Sequence, residues 1–600
     1  MRGCGILFPI FSLSSKYGIG CFSREAYEFV DFLERSGQGY WQILPVGPTG
    51  FGDSPYQPFS AFAGNPYFIS PEILLEEGLL KPEDLEGYDF GSNPERVDYG
   101  AIYNSRFFIL KAAYRRFRRD ILREKPVVSE KKQKTPILTE RESEYKVTLV
   151  DGALVQTRNE AFGDSNSLKD ESPLQDGAPL ENNMAGKTGQ TQNKATDEET
   201  SPSKNSSSFE DIIMEEAAPE TEFTREMKAD YLNFLKEQDY WLTDYALFMA
   251  LKEDQGGKPW QDWDEDYRRR EEKAMSLAKK EFADSIDFYR FIQYEFQRQW
   301  KKLRDYANGK KVKIIGDLPF YASADSADAW AHPEVFQMDE NLRPKAVAGC
   351  PPDAFSCDGQ LWGNPVYDWE GLKKDGYSWW IRRMQRNYQF YDVIRFDHFH
   401  GFAEYYAIPY GDSNARNGEQ KAGPGMDLFR AMEEKIGHLN VIAEDLGTNT
   451  PENEKLLADS GFPGMKVLQY AFTSWDSYYM NHKHIQNCVV YTGTHDNTPT
   501  RAWIEEINDG ERYFARRYIN SMNTDYNGFV WDMIREAYRS VANLCIIPLQ
   551  DYLCKGKEAR INFPGTQDNN WQWRLAPNYL SEDLSRSIRD LSELYGRMPR

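Results

Sequence analysis

The 600-residue chain is predicted to fold as an α/β protein: a (β/α)8 TIM barrel with helical insertion subdomains and a disordered acidic insertion, and without a C-terminal β-sandwich. Two observations predict this. Eight short apolar or β-branched runs recur along the chain, most of them followed by a helical pattern, and near-continuous apolarity suits parallel strands covered on both faces. The segment after the eighth run is too short for a sandwich domain of roughly 100 residues.

The elements follow in order. The first run, CGILFPI from Cys4, leads to a helix capped by Ser23, with Ala26, Val30 and Leu33 on one stripe and Gly37 at its end. The second, YWQILPVG from Tyr40, opens into Gly47–Pro71, a stretch of turn residues and aromatics. The chain before the third run is too long for an ordinary βα unit, and residues 48–125 and 222–300 read as insertion subdomains on the barrel. Their clearest helix lies in Tyr240–Trp260 and ends near Gly256. Then come VKIIGDLP from Val312, YDVIRFDHF from Tyr391, LNVIAEDLG from Leu439, GMKVLQYAF from Gly464, CVVYTGTHD from Cys488 and LCIIPLQDY from Leu544. Ser581 caps a last helix with Leu584, Ile588, Leu591 and Tyr595 on one face. Residues 1–600 thus make a single barrel domain.

One stretch, 126–221, is low in complexity. Its part from Ala161 to Glu220 carries 13 acidic and 4 basic residues and only Phe162 and Phe209 as aromatics, too little apolar surface to offset ordering entropy. It reads as a disordered, tolerated insertion with a weak hairpin around Tyr145–Leu154. The net charge of -22 argues against nucleic acid and against an anionic membrane surface as partners. No apolar run is long enough to span a bilayer, and no cleavage site follows the apolar start. Seven scattered cysteines suit a reducing, cytoplasmic setting.

In a barrel of this kind reactive groups sit where strands end. Asp317, Asp397, Glu444 and Asp496 occupy four such ends. Alternation along the fourth strand puts Arg395 and Asp397 on one face, so the guanidinium is expected to lower the pKa of Asp397 and keep it an anionic nucleophile. Glu444 follows Val441-Ile442-Ala443, and burial is expected to raise its pKa towards that of a general acid. Asp496, beside His495, suits hydrogen bonds to sugar hydroxyls that strengthen as charge develops on the ring. Asp445 points the other way and reads as structural. His398 and His400 form an i, i+2 pair of the kind that ligates metal, but no HExxH and no convincing third ligand accompany them, so neither metal nor cofactor is expected. Two aromatic loops, Gly47–Pro71 and Ala346–Trp369, are expected to bring Tyr56, Phe355 and Trp362, with polar Gln360 and Asn364, over the barrel mouth as a stacking surface.

The strings GDSPYQPFSAFAGNPY, GDLPFYASADSADAWAHP, GCPPDAFSCDGQLWGNPVYDW, IRFDHFHGFAEYYAIP, IAEDLG, GFPGMKVLQYAF, YTGTHDN and INFPGTQDNNWQWR closely resemble the amylomaltases, the 4-α-glucanotransferases or disproportionating enzymes of glycoside hydrolase family 77. The resemblance covers about residues 1–120 and 222–600. It implies retaining transfer of α-1,4-glucan segments between malto-oligosaccharide donors and acceptors, including starch- and glycogen-derived glucans. It further implies that Asp397 is the nucleophile, Glu444 the acid/base and Asp496 the transition-state stabiliser, with Arg395 and His495 supporting them. Asp317 would touch the sugar, Tyr56 would stack on the glucan, and the Phe355–Trp362 loop would be a lid over the acceptor sites. Position 354 is Ala where some members carry an aromatic. The alternatives are a glucan hydrolase with the same acids and a non-catalytic glucan-binding protein.

Overall fold

The computed structural model describes residues 2–124, the backbone of 145–150 and 153–158, and residues 217–352, 357–447, 450–566 and 568–599. All eight apolar runs form strands: β1 (Gly3–Leu7), β2 (Tyr40–Gln42), β3 (Lys313–Leu318), β4 (Val393–Phe396), β5 (Val441–Ala443), β6 (Gly464–Val467), β7 (Cys488–Tyr491) and β8 (Leu544–Pro548). They pair in parallel in the order β5-β4-β3-β2-β1-β8-β7-β6. The ring nearly closes between β5 and β6, where the Ala443 N–H donates to the Pro463 carbonyl at 2.9 Å.

Every strand is covered twice, which is why its apolar residues are consecutive. Leu7, Ile315, Val393, Ile442, Val467 and Ile546 fill the lumen as a core of their own. The alternate positions, Ile6, Ile314, Ile394 and Ile547 among them, belong to the larger core under the helices. Packing between neighbouring strands is tight at Gly5, where a Cβ would come within 2.5 Å of the carbonyl oxygen of its register partner Tyr40. Because side chains alternate along a strand, a residue in phase with the lumen set at a strand's C-terminal end points into the barrel mouth. Asp317 is in phase with Ile315, Arg395 and Asp397 with Val393, and Glu444 with Ile442.

The helix Arg24–Arg35 buries Ala26, Val30 and Leu33, and Gly37 turns the chain away with φ of 67°. Ser23 stands at its N-cap, but the hydroxyl bonds to Glu25 instead of the helix backbone. Ser581 does cap, accepting the Leu584 N–H at 3.1 Å at the start of Glu582–Leu594. Among the described residues no strand follows β8.

Between β2 and β3 the described residues outside 145–158 are largely helical. Phe117 meets Tyr231 and Phe291 at ring-centroid distances of 5.0 and 4.8 Å, so the two stretches read as insertion subdomains share one core. Lys252, in the helix Glu222–Asp254, reaches Asp325 in the segment after β3 at 2.6 Å and so fastens that layer to the barrel. The expected low-complexity stretch 126–221 lies outside the described residues apart from 217–221 and two antiparallel strands, Tyr145–Val150 and Ala153–Arg158. That hairpin belongs to a second compact unit, residues 139–206.

The stretch 346–369, read as a loop, is partly sheet. Ala346–Cys350 pairs antiparallel with Gln360–Pro365 and with Glu404–Pro409, to which Glu419–Ala422 adds a fourth strand. Short strands written AVAGC and QLWGNP carry Gly and Pro and little β-branched text, so they read as turns.

At the barrel seam Asp445 and Lys466, both out of phase with the lumen, meet behind the strands. The Met465 N–H donates to Asp445 Oδ1 at 2.6 Å, and Oδ2 lies 3.6 Å from Lys466 Nζ, with both side chains buried. Asp445→Ala leaves the ammonium buried without its counter-charge and is expected to lower the free energy of unfolding in urea by about 3–5 kcal/mol. Adding Lys466→Met is expected to recover part of the loss. A single variant within about 1 kcal/mol of wild type would show that the seam does not depend on this pair.

Candidate active site

The site is built around Arg395. Its buried Nη1 donates to both oxygens of Asp317 at 2.7 and 2.6 Å and to Asp397 Oδ1 at 3.2 Å. Burial opposes the guanidinium charge, but Asp317 and then Asp397 outweigh it and hold the pKa well above its ordinary value. The side chains differ in access: Asp317 has 0% of its surface exposed, Asp397 28% and Asp496 36%. Asp397 and Asp496 therefore open onto the mouth. Asp317, expected to touch a sugar, is instead enclosed, its oxygens occupied by Arg395 and by the Tyr56 hydroxyl at 3.0 Å.

Asp397 and Glu444 follow a paired couple, Phe396 and Ala443, on neighbouring strands. The Glu444 N–H donates to the Phe396 carbonyl at 3.0 Å, which continues the ladder one step. Adjacent strands lie about 4.8 Å apart, so the two carboxyl groups leave the rim side by side. The Glu444 carboxyl is held by two backbone donors, His398 N–H on Oε2 at 2.8 Å and Leu446 N–H on Oε1 at 2.9 Å. The first is possible because His398 turns sharply, with φ of 49°.

Arg395 lowers the pKa of Asp397 as expected, but the net shift is upward. Burial is the larger effect and, with the negative charges of Asp317 and Asp496, pushes Asp397 up to about 6 despite the guanidinium. Burial pushes Glu444 further, to about 8, reinforced by Asp397 and opposed by Arg395 and the two N–H donors. Near neutral pH the pair is thus divided, Asp397 as carboxylate and Glu444 as acid.

Farther round the same rim, after β7, Asp496 Oδ1 accepts from Asn562 Nδ2 at 2.6 Å and Oδ2 lies 3.3 Å from His495 Nε2. The Tyr56 hydroxyl lies 2.9 Å from the same nitrogen, and the Tyr56 and His495 rings stack at 5.5 Å with 14° between planes. Burial lowers the pKa of His495 and keeps it uncharged. Tyr56 gives its one proton to Asp317, so Nε2 is the protonated nitrogen, facing the Tyr56 oxygen and Asp496. Nδ1 is then a buried acceptor without a hydrogen-bond partner among the described residues.

The aromatic rim is present in part. Trp362 meets His398 edge-on at 5.1 Å, and its indole N–H donates to Gln360 Oε1 at 3.1 Å. Burial pushes His398 down to about 4, so this imidazole is neutral. Gln57 and Asn364 exchange amide hydrogen bonds at 2.9 and 3.2 Å, latching the strand Gln360–Pro365 to the loop after β2. Phe355, with Ala354, lies outside the described residues.

Four contributors escape the spacing argument: Gln57, Arg560, Asn562 and Trp571. Arg560 donates to the Asp496 carbonyl at 3.1 Å, and Trp571 packs 5.7 Å from Tyr56. The signal for two of them, Asn562 and Trp571, is the polar, aromatic string INFPGTQDNNWQWR after β8, which has no core-forming period, and Arg560 stands just before it.

Comparison with known proteins identifies the family. The 4-alpha-glucanotransferase family model matches residues 8–142 and 172–580. The chain is 39% identical to the 4-alpha-glucanotransferase of Clostridium butyricum over 98% of this chain and 99% of the relative, and 33% identical to the chloroplastic/amyloplastic 4-alpha-glucanotransferase of Solanum tuberosum over 100% of this chain and 87% of the relative. Its fold matches the amylomaltase of Streptococcus agalactiae, solved in complex with acarbose, with a TM-score of 0.79, 33% identity and full coverage of both chains.

Asp317→Asn removes one of the negative charges that raise Asp397. The carboxyl band of Asp397, followed by infrared difference spectroscopy, is expected to titrate below its wild-type value of about 6. An unchanged or raised titration would place the cause elsewhere.

Proposed function

The chain belongs to the 4-alpha-glucanotransferase family, and we propose that it transfers α-1,4-glucan segments by a retaining double displacement carried by Asp397 and Glu444. The observation that carries this reading is the divided pair: two carboxyl groups on adjacent strand ends, one ionised and one protonated near neutral pH. Acids on adjacent strand ends are placed where the roughly 5–5.5 Å separation of retaining enzymes can be met.

In the first step Asp397 attacks C1 while Glu444 gives its proton to the glycosidic oxygen, releasing the reducing-end fragment and leaving a glycosyl ester on Asp397. In the second, Glu444, now ionised, takes the proton of an acceptor 4-hydroxyl as that oxygen displaces Asp397, and the configuration at C1 is retained. Asp496, aligned by Asn562 and His495, faces the ring where positive charge develops. Tyr56 and Trp362 offer faces and edges for sugar rings, and the latched strand Gln360–Pro365 favours acceptor sugar over water. Donors and acceptors are read as malto-oligosaccharides and starch- or glycogen-derived glucans. The acarbose bound to the S. agalactiae amylomaltase supports an oligosaccharide-binding mouth. Free cysteines support a cytoplasmic enzyme.

Incubation with maltotriose is expected to yield glucose together with longer maltodextrins; glucose and maltose alone would mark a hydrolase. The dependence of kcat/KM on pH is expected to be bell-shaped. Activity falls below about 6 as Asp397 gains its proton and above about 8 as Glu444 loses its own. Glu444→Ala is expected to slow transfer from maltotriose by roughly 10²–10⁴-fold, yet to form the glycosyl-enzyme readily from an α-maltosyl fluoride, whose leaving group needs no acid. Equal loss with both donors would remove Glu444 from the acid role.

A further inference from the structure

Trp475 is 72% exposed, more than any other described aromatic ring, on a surface where such a large apolar face is costly to leave in water. It is not loose. It sits at the tip of the turn Ser474–Ser477, closed by the Ser477 N–H donating to the Ser474 carbonyl at 3.2 Å. Ser477 Oγ donates to the Tyr470 carbonyl at 2.8 Å, and Lys483 Nζ holds Asp476 Oδ1 at 2.6 Å. One side of the indole rests on Phe514, with ring centroids 4.0 Å apart, and Phe514 is itself buried against Phe472 and Tyr518. The rest of the ring faces solvent, with Tyr513, 62% exposed, beside Phe514 on the same helix.

The place of this ring in the fold indicates its ligand. The turn lies in the loop that follows β6, hence at the end of the barrel that bears Asp397, Glu444 and Asp496. It is joined to that rim: Tyr470, whose carbonyl anchors the turn, accepts from Asn497 Nδ2 at 2.9 Å through its hydroxyl, and Asn497 follows Asp496. Asp476 and Asp509 are each paired with a cation, Lys483 and Arg512, so they leave no unbalanced charge that calls for an ionic ligand, and the net charge of -22 on the chain disfavours an anionic one. A rigid, neutral, flat apolar face beside a glucan-transferring mouth fits the C–H face of a glucose ring.

We propose that Trp475, braced by Phe514, is an outer binding site for a glucosyl unit of a long α-1,4-glucan whose reacting bond lies in the barrel mouth. The proposal rests on the glucan-transfer reading above. It makes the enzyme favour long chains over short ones through a contact remote from the chemistry.

The test compares long amylose with maltotriose as substrates of the full chain. Trp475→Ala is expected to raise KM for amylose about fivefold, the scale of one stacked ring, while KM for maltotriose moves less than about twofold. Trp475→Phe, which keeps a ring, is expected to recover most of the amylose KM. Retardation in native gels containing amylopectin, which requires no turnover, is expected to weaken in Trp475→Ala. Equal KM changes for both substrates, or unchanged retardation, would overturn the proposal. So would a wild-type dimer lost in Trp475→Ala, which would assign the ring to a second copy of the chain. Failure of the wild type to disproportionate maltotriose would overturn the underlying reading instead.

Discussion

Arg395, with Arg560 only at the edge beside Asp496, cannot balance four carboxyl groups in the barrel mouth, and the chemistry of this protein follows from that imbalance. Arg395 binds Asp317 fully and Asp397 partly, and Glu444 and Asp496 complete the acidic ring. Ionising every acid at once would set uncompensated like charges against one another at low dielectric. The relief is to keep a proton, and it stays on Glu444, whose pKa is raised more than that of Asp397. The asymmetry needed for acid catalysis beside a nucleophile is thus imposed by burial and charge counting. Asp317, closed off from solvent, is bonded to Arg395 and Tyr56.

The barrel makes that crowding possible. Side-chain alternation delivers Asp317, Arg395, Asp397 and Glu444 to the lumen face in phase with the apolar residues beneath them. Parallel pairing then sets Asp397 and Glu444 on adjacent strand ends. Outside the ring, the Gln57–Asn364 latch and the Asp445–Lys466 pair stiffen segments next to the reacting groups without joining them. Precise chemistry on loops needs such bracing, because loops are otherwise the most mobile parts of a fold.

How legible this was in the sequence varies with the physics behind each feature. The eight strands could be read because doubly covered strands leave continuous apolar text, and the acids because they end those runs. The antiparallel sheet around Gln360–Pro365 could not, since its short Gly- and Pro-bearing strands resemble turns. The sign of the Asp397 shift was also hidden: adjacency to Arg395 is visible in the chain, whereas depth of burial and the approach of Asp317 and Asp496 arise only on folding. Asn562 and Trp571 were hidden for a similar reason. They lie after β8 and meet Asp496, after the neighbouring β7, and Tyr56, after β2, only once the strands have come together.

The most direct measurement is to trap the glycosylated enzyme. Glu444→Gln, treated with an α-maltosyl fluoride and quenched in acid, should gain one maltosyl unit by intact-mass spectrometry, and peptide mapping should place that unit on Asp397. A label on any other side chain, or unlabelled protein accompanied by product of inverted configuration, would contradict the account.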